Sequence, residues 1–165
     1  MTSSLQILTS SPEETQMVGQ VLGEQAQPGD IFLLTGPLGA GKTCFTQGVA
    51  RGLGVAGYTR SPTFVLATRY RGRLVLHHVD LYRISDAREA WDLGLEELLS
   101  GDDVCIVEWA DLAEEIFPED ALWIALDYAP EEGQHSITFE KRSARYFKML
   151  EKLTRTFPTA KEVNP

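Results

Sequence analysis

The stretch Gly36-Pro37-Leu38-Gly39-Ala40-Gly41-Lys42-Thr43 matches the pattern G-x-x-x-x-G-K-[ST], in which each fixed position has a chemical reason. Glycine admits backbone torsions closed to other residues, so consecutive N–H groups can turn onto the oxygens of a phosphate. Lys42 supplies a point charge for the outer phosphates, and Thr43 offers a hydroxyl to Mg2+. A helix starting at this point adds the positive end of its dipole. The loop therefore predicts binding of ATP with magnesium. Guanine selection through an Asn-Lys-x-Asp motif is excluded, because the only asparagine is Asn164.

Such a loop needs a second anchor for the metal, usually an acid at the end of a neighbouring strand. Glu108 ends the apolar run Val104-Cys105-Ile106-Val107, and Asp80 ends Leu74-Val75-Leu76-His77-His78-Val79. Spacing does not decide which of the two meets the metal and which orients a water. Ser61-Pro62-Thr63 offers hydroxyls that a switch segment would use to sense a third phosphate, or simply opens a strand. His77 and His78 point to opposite faces of a strand and receive no role.

Local patterns suggest the elements that position these groups. Leu5–Leu8 reads as a short strand, and Ser11-Pro12-Glu13-Glu14 as a capped helix start, with the helix running to about Gln27. Ile31–Leu34 is apolar throughout, as in a strand buried on both faces, and a helix from Lys42 to Leu53 follows the loop. Phe64–Tyr70 and Leu74–Asp80 suggest a hairpin turning near Arg71-Gly72. A helix is expected over Ala87–Leu99, interrupted near Gly94. Strands are expected at Val104–Val107 and Leu122–Tyr128, with Ser136–Glu140 closing the sheet. Alternating strands and helices predict a three-layer α/β domain with a largely parallel central sheet plus an antiparallel hairpin. Residues 1–140 form the P-loop domain in this scheme. Residues 141–165 form a basic helical tail packed on it, with Phe147, Leu150, Leu153 and Phe157 at helical spacing.

At 165 residues the chain suits one domain, and its composition is that of an ordinary globular protein. Met1-Thr2-Ser3-Ser4-Leu5 has neither a basic region nor an apolar signal core, and no apolar run reaches membrane-spanning length. The expected compartment is the cytoplasm. Two cysteines, Cys44 and Cys105, fit a reducing setting and show no zinc spacing. The net charge of −9 argues against a broad nucleic-acid surface. Thirteen acids and one base, Arg88, lie between Asp86 and Asp120, whereas seven bases and one acid lie between Lys141 and Lys161. Either run is a solvated face or a docking surface.

Taken together, Gly36–Thr43, Ser61-Pro62-Thr63-Phe64, His78-x-Asp80-Leu81-Tyr82-Arg83 and Val107-Glu108-Trp109 resemble the TsaE (YjeE) family, in order and spacing, over about Ser10 to Tyr128. The resemblance implies a small bacterial ATPase required for threonylcarbamoyladenosine formation in tRNAs that read codons beginning with A. It implies action on the TsaB–TsaD protein complex, with tRNA engaged only indirectly, no membrane, and slow hydrolysis stimulated by partners. Carried over by position, the nucleotide-binding residues are Thr15 (near the base), Gly36, Leu38, Gly39, Ala40, Gly41, Lys42, Thr43, Cys44 and Trp109. Thr43 and Glu108 would take magnesium, and Lys42 and Asp80 would be catalytic, with Asp80 either orienting water or acting as a switch carboxylate; Ser61 and Thr63 stay switch candidates on their residue types alone. The chain departs from the family at Pro37, usually aspartate, at Cys44, often threonine, and at Gln134, where an arginine commonly approaches the adenine. A small-molecule P-loop kinase and a non-catalytic nucleotide-dependent scaffold are the alternatives. Arg60, Arg69, Arg71 and Arg73 do not compose a kinase lid. Oligomeric state is not legible.

Overall fold

A computed structural model describes residues 3–57 and 67–164. Ser61 and Thr63 therefore lie outside the described residues, as do positions 64–66 of the expected hairpin. The strands are β1 (Ser4–Thr9), β2 (Ile31–Thr35), β3 (Ala67–Arg71), β4 (Val75–Asp80), β5 (Val104–Glu108), β6 (Leu122–Tyr128), β7 (His135–Glu140) and β8 (Lys161–Val163). The helices are α1 (Pro12–Gln25), α2 (Lys42–Gly52), α3 (Ala87–Asp92), α4 (Leu95–Ser100) and α5 (Phe147–Thr156), with a 3-10 segment at Ala110–Ile116. No helix among the described residues is long and apolar enough to cross a membrane.

The strands form one sheet in the order β3-β4-β5-β2-β6-β7-β1-β8. Its centre, β4-β5-β2-β6, is parallel, and all other pairings are antiparallel. The antiparallel part is thus larger than the single hairpin expected from sequence. β7 does not close the sheet but sits between β6 and β1. Only a short turn joins β6 to β7, with Ala129 N–H donating to the Gln134 carbonyl at 2.9 Å. A connection that short permits only an antiparallel return. β8, which no sequence signal marked, adds to β1 and is steadied by Thr159, whose hydroxyl accepts from Leu8 N at 3.1 Å and donates to Leu8 O at 2.8 Å.

The central strands alternate between two cores. Phe32, Leu34, Val104 and Ile106 face α1, α2 and α5, while Ile31, Leu33, Cys105 and Val107 face α3, α4 and the 3-10 segment. This two-sided burial explains their unbroken apolar runs. α1 starts as a capped helix should: the Ser11 hydroxyl accepts from Glu14 N at 3.1 Å, and the Glu14 carboxylate accepts from Ser10 N at 3.1 Å. Gly94, at φ 84°, separates α3 from α4. In α5, Met149, Leu150 and Leu153 are buried, but Phe147 stays exposed. Arg145 Nε donates to buried Asp30 at 2.8 Å, and Tyr146 Oη accepts from Ile31 N at 3.0 Å, tying the start of this helix to β2.

One packing device went unnoticed in the sequence. α1 carries Gly19 and Gly23, and α2 carries Gly48 and Gly52, each pair four residues apart and so on one helix face. A Cβ on Gly19 would run into the Phe45 carbonyl, one on Gly23 into that of Val49, and ones on Gly48 and Gly52 into those of Gln16 and Gln20. The two backbones touch, and this contact sets how closely α2 lies against α1.

Candidate functional site

The loop leaves the end of β2 and enters α2 at Lys42, crossing the edge where the parallel strands end. Crevices at this edge are the usual ligand sites of open α/β sheets. Gly36 at φ 135° and Gly41 at φ 104° hold the backbone in a region that side chains disfavour. Space is also lacking at Gly36, where a Cβ would meet the Leu126 carbonyl on β6. Tyr128, at the end of β6, donates its hydroxyl to Leu38 O at 2.6 Å and so pins the crest of the loop.

β4 and β5 run in parallel with Asp80 opposite Glu108, so both carboxylates reach the same edge. Beside them lies a cleft of about 540 Å³ lined by Leu38, Gly39, Gly41, Lys42, Thr43, Cys44, His78, Asp80, Tyr82, Glu108 and Trp109. Of the residues singled out in the sequence, Leu38, Gly39, Gly41, Lys42, Thr43, Cys44, Asp80, Glu108 and Trp109 thus meet around one space. Ala40 is instead buried in the core. Gly36 lies behind the cleft and contributes its carbonyl, which accepts from Lys42 Nζ. Thr15 is buried in α1 with its methyl close to Gly41, and its hydroxyl hydrogen-bonds that of Thr9 at 2.8 Å.

Lys42 is folded back onto the loop, donating also to the Pro37 carbonyl at 2.9 Å, with its ammonium 4.0 Å from the centroid of the Trp109 ring. Burial lowers its pKa, and the negative charges of Glu108, Asp111 and Asp80 oppose that shift. Partial burial leaves the ammonium short of water, which strengthens its attraction for any opposite charge that reaches it. Trp109 has φ 59°, the one positive φ outside glycine among the described residues. Such a conformation costs about 1–3 kcal/mol and persists where surrounding contacts impose it. Here it carries the indole onto Lys42 and against Tyr82, whose ring centroid lies 4.9 Å away.

Glu108 is buried and its Oε2 lies 2.6 Å from His78 Nε2. Asp80 Oδ1 accepts from Tyr82 N at 2.9 Å. Sequence reasoning left His78, Tyr82 and Tyr128 without a role. His78 and Tyr82 had a signal in hindsight, since each is two residues from Asp80, on the strand end or the turn that follows. Tyr128 had none, because its contact spans 90 positions.

Among the described residues no three His, Cys, Asp or Glu side chains are grouped to cage a metal. Magnesium takes one or two carboxylates and completes its shell with phosphate and water. Thr43, Asp80 and Glu108 put hard oxygen donors on the same cleft as the loop.

The chain is similar to known proteins in sequence and fold. Residues 9–137 match the family model described as threonylcarbamoyl adenosine biosynthesis protein TsaE. The tRNA threonylcarbamoyladenosine biosynthesis protein TsaE of Bacillus subtilis is 44% identical over 148 residues, covering 89% of this chain and 92% of the relative. Its namesake from Treponema pallidum is 38% identical over 122 residues, 74% of this chain and 90% of the relative. The crystal structure of Bacillus subtilis YdiB superposes with a TM-score of 0.79 at 40% identity, covering 94% of this chain and 97% of that one. The chain belongs to the TsaE family.

Proposed function

We propose that this member of the TsaE family is a magnesium-dependent P-loop ATPase that acts on the TsaB–TsaD complex in the cytoplasm, in service of threonylcarbamoyladenosine formation in tRNA. The relatives' names support the pathway. The observation that carries the ATPase reading is the cleft itself, where Lys42, Thr43 and the glycine loop face Glu108 and Asp80.

The nucleotide's phosphates would lie against the loop backbone at the start of α2, with Lys42 leaving its carbonyl partners to meet the outer ones. Thr43 and Glu108 would hold magnesium, which neutralises charge building on the phosphates. Asp80, whose Oδ1 accepts from the Tyr82 amide, would orient the attacking water. Trp109 and Tyr82 line the cleft beside these groups. Among the described residues Lys42 is the one lysine or arginine on the cleft lining, and partner proteins would supply further charge stabilisation. Such a contribution is worth a factor of ~10³ or more in rate.

The experiment measures ATP hydrolysis by the purified chain, alone and with TsaB–TsaD, and binding to that pair with ATP, ADP or neither. Slow turnover that rises with the partners, and binding that depends on nucleotide, are expected. Phosphoryl transfer to a metabolite instead of water would establish a kinase. Full tRNA modification by Glu108→Ala and Asp80→Ala variants would establish a scaffold.

A further inference from the structure

The buried contact between His78 and Glu108 is unused by the scheme above. An ionised carboxylate only accepts hydrogen bonds, so at 2.6 Å His78 Nε2–H donates to Glu108 Oε2. Both side chains are nearly excluded from water, at 6% and 7% exposure. Thr46 Oγ1 approaches the same oxygen at 3.4 Å, but its single proton goes to the Lys42 carbonyl at 2.9 Å. His78 is therefore the chief holder of this oxygen among the contacts described.

Its place in the sheet gives the contact a direction. His78 lies two residues before Asp80 on β4, so both side chains leave the same face. In the parallel register His78 faces Ile106 and Asp80 faces Glu108. The imidazole thus bridges β4 to β5 diagonally, from the strand that carries one carboxylate to the side chain that carries the other. Without that bond, a carboxylate in a largely dry pocket would turn about its last torsion toward another donor.

We infer that His78 is a positioning residue for the metal-binding carboxylate: it holds Glu108 Oε2 and thereby presents the other oxygen to the cation. This inference rests on the magnesium-nucleotide reading of the cleft. Partners that orient a metal ligand typically influence metal affinity or activity by about 10–100-fold when removed.

The test titrates magnesium into the protein with ATP and follows nucleotide binding by calorimetry, in parallel with binding in EDTA. For His78→Ala, the magnesium concentration giving half-maximal enhancement of binding should rise ~10–100-fold. Affinity in EDTA should stay at the wild-type level, and His78→Gln, which restores an N–H donor, should recover most of the loss. His78→Leu, which keeps volume without a donor, replaces the alanine variant if the latter fails to fold. Unchanged magnesium dependence in the donor-less variants overturns the inference, as does an equal loss of affinity with and without magnesium. Wild-type protein lacking any magnesium-linked nucleotide binding would overturn both the inference and the reading beneath it.

Discussion

Replacing Gly48 by alanine puts two known effects in opposition. Alanine in a helix interior is favoured over glycine by about 1 kcal/mol, so on α2 alone the change stabilises. The structure places a backbone where the new methyl must go. Beyond the Gln16 carbonyl, a Cβ on Gly48 would lie 3.0 Å from Gln20 N, and one on Gly19 would lie 3.1 Å from Val49 N. Ordinary contact begins near 3.4 Å, and a main chain locked in helical hydrogen bonds has no rotamer to yield. The helices must part, loosening Val18, Leu22, Phe45 and Val49, which are all fully buried. Overpacking of this kind costs about 1–3 kcal/mol, and backbone obstacles belong at the upper end. After the helix gain, a net loss of about 1–2 kcal/mol remains for Gly48→Ala, or roughly 2–8 °C in Tm for a chain of this length. Urea unfolding followed by circular dichroism measures it directly. Gly101→Ala is the control: its φ is −88° and its Cβ would meet nothing nearer than Glu97 O at 3.8 Å, so stability should hold or rise. Gly48→Ala as stable as wild type would refute the close backbone contact between α1 and α2.

Two further outcomes follow from single side chains. Lys42→Met should weaken ATP binding by about 10–100-fold, the worth of charge-assisted hydrogen bonds to phosphate, while leaving the unfolding midpoint near that of the wild type; a nucleotide titration checks it. Burial raises the Cys105 thiol from 9.0 to about 12, with Asp103 adding to the shift, and burial raises the Tyr146 phenol from 10.0 to about 12. The folded chain then keeps protons that the unfolded chain releases, so stability present below pH 9 is lost as pH rises from about 9 to 12. Urea midpoints across that range should fall, and less steeply in Cys105→Ala.

The sequence alone determined the elements whose cause is local. Ser11 and Glu14 cap α1 wherever that helix packs, Gly94 interrupts a helix by its torsion, and Ile31–Leu34 must be buried on both faces. The G-x-x-x-x-G-K-T run fixes a loop because its constraint is carried by consecutive backbone units. Their places at strand ends marked Asp80 and Glu108 as candidates, and the family resemblance added Trp109. Tertiary structure decided what depends on distance. Whether Asp80 stands opposite Glu108 is a matter of parallel register, and periodicity along one strand holds no information about its neighbour. The larger antiparallel flank and the placement of β7 beside β1 depend on which strands pair, and one strand's own pattern does not name its neighbour. The four helix glycines read as weak helix positions until the opposing backbone is seen. His78 was one of two adjacent histidines, set apart from His77 only by its two-residue spacing from Asp80. His77 turns to Asp103 at 2.8 Å and His78 to Glu108, because neighbouring residues on a strand leave by opposite faces and only the packed sheet gives each face a partner.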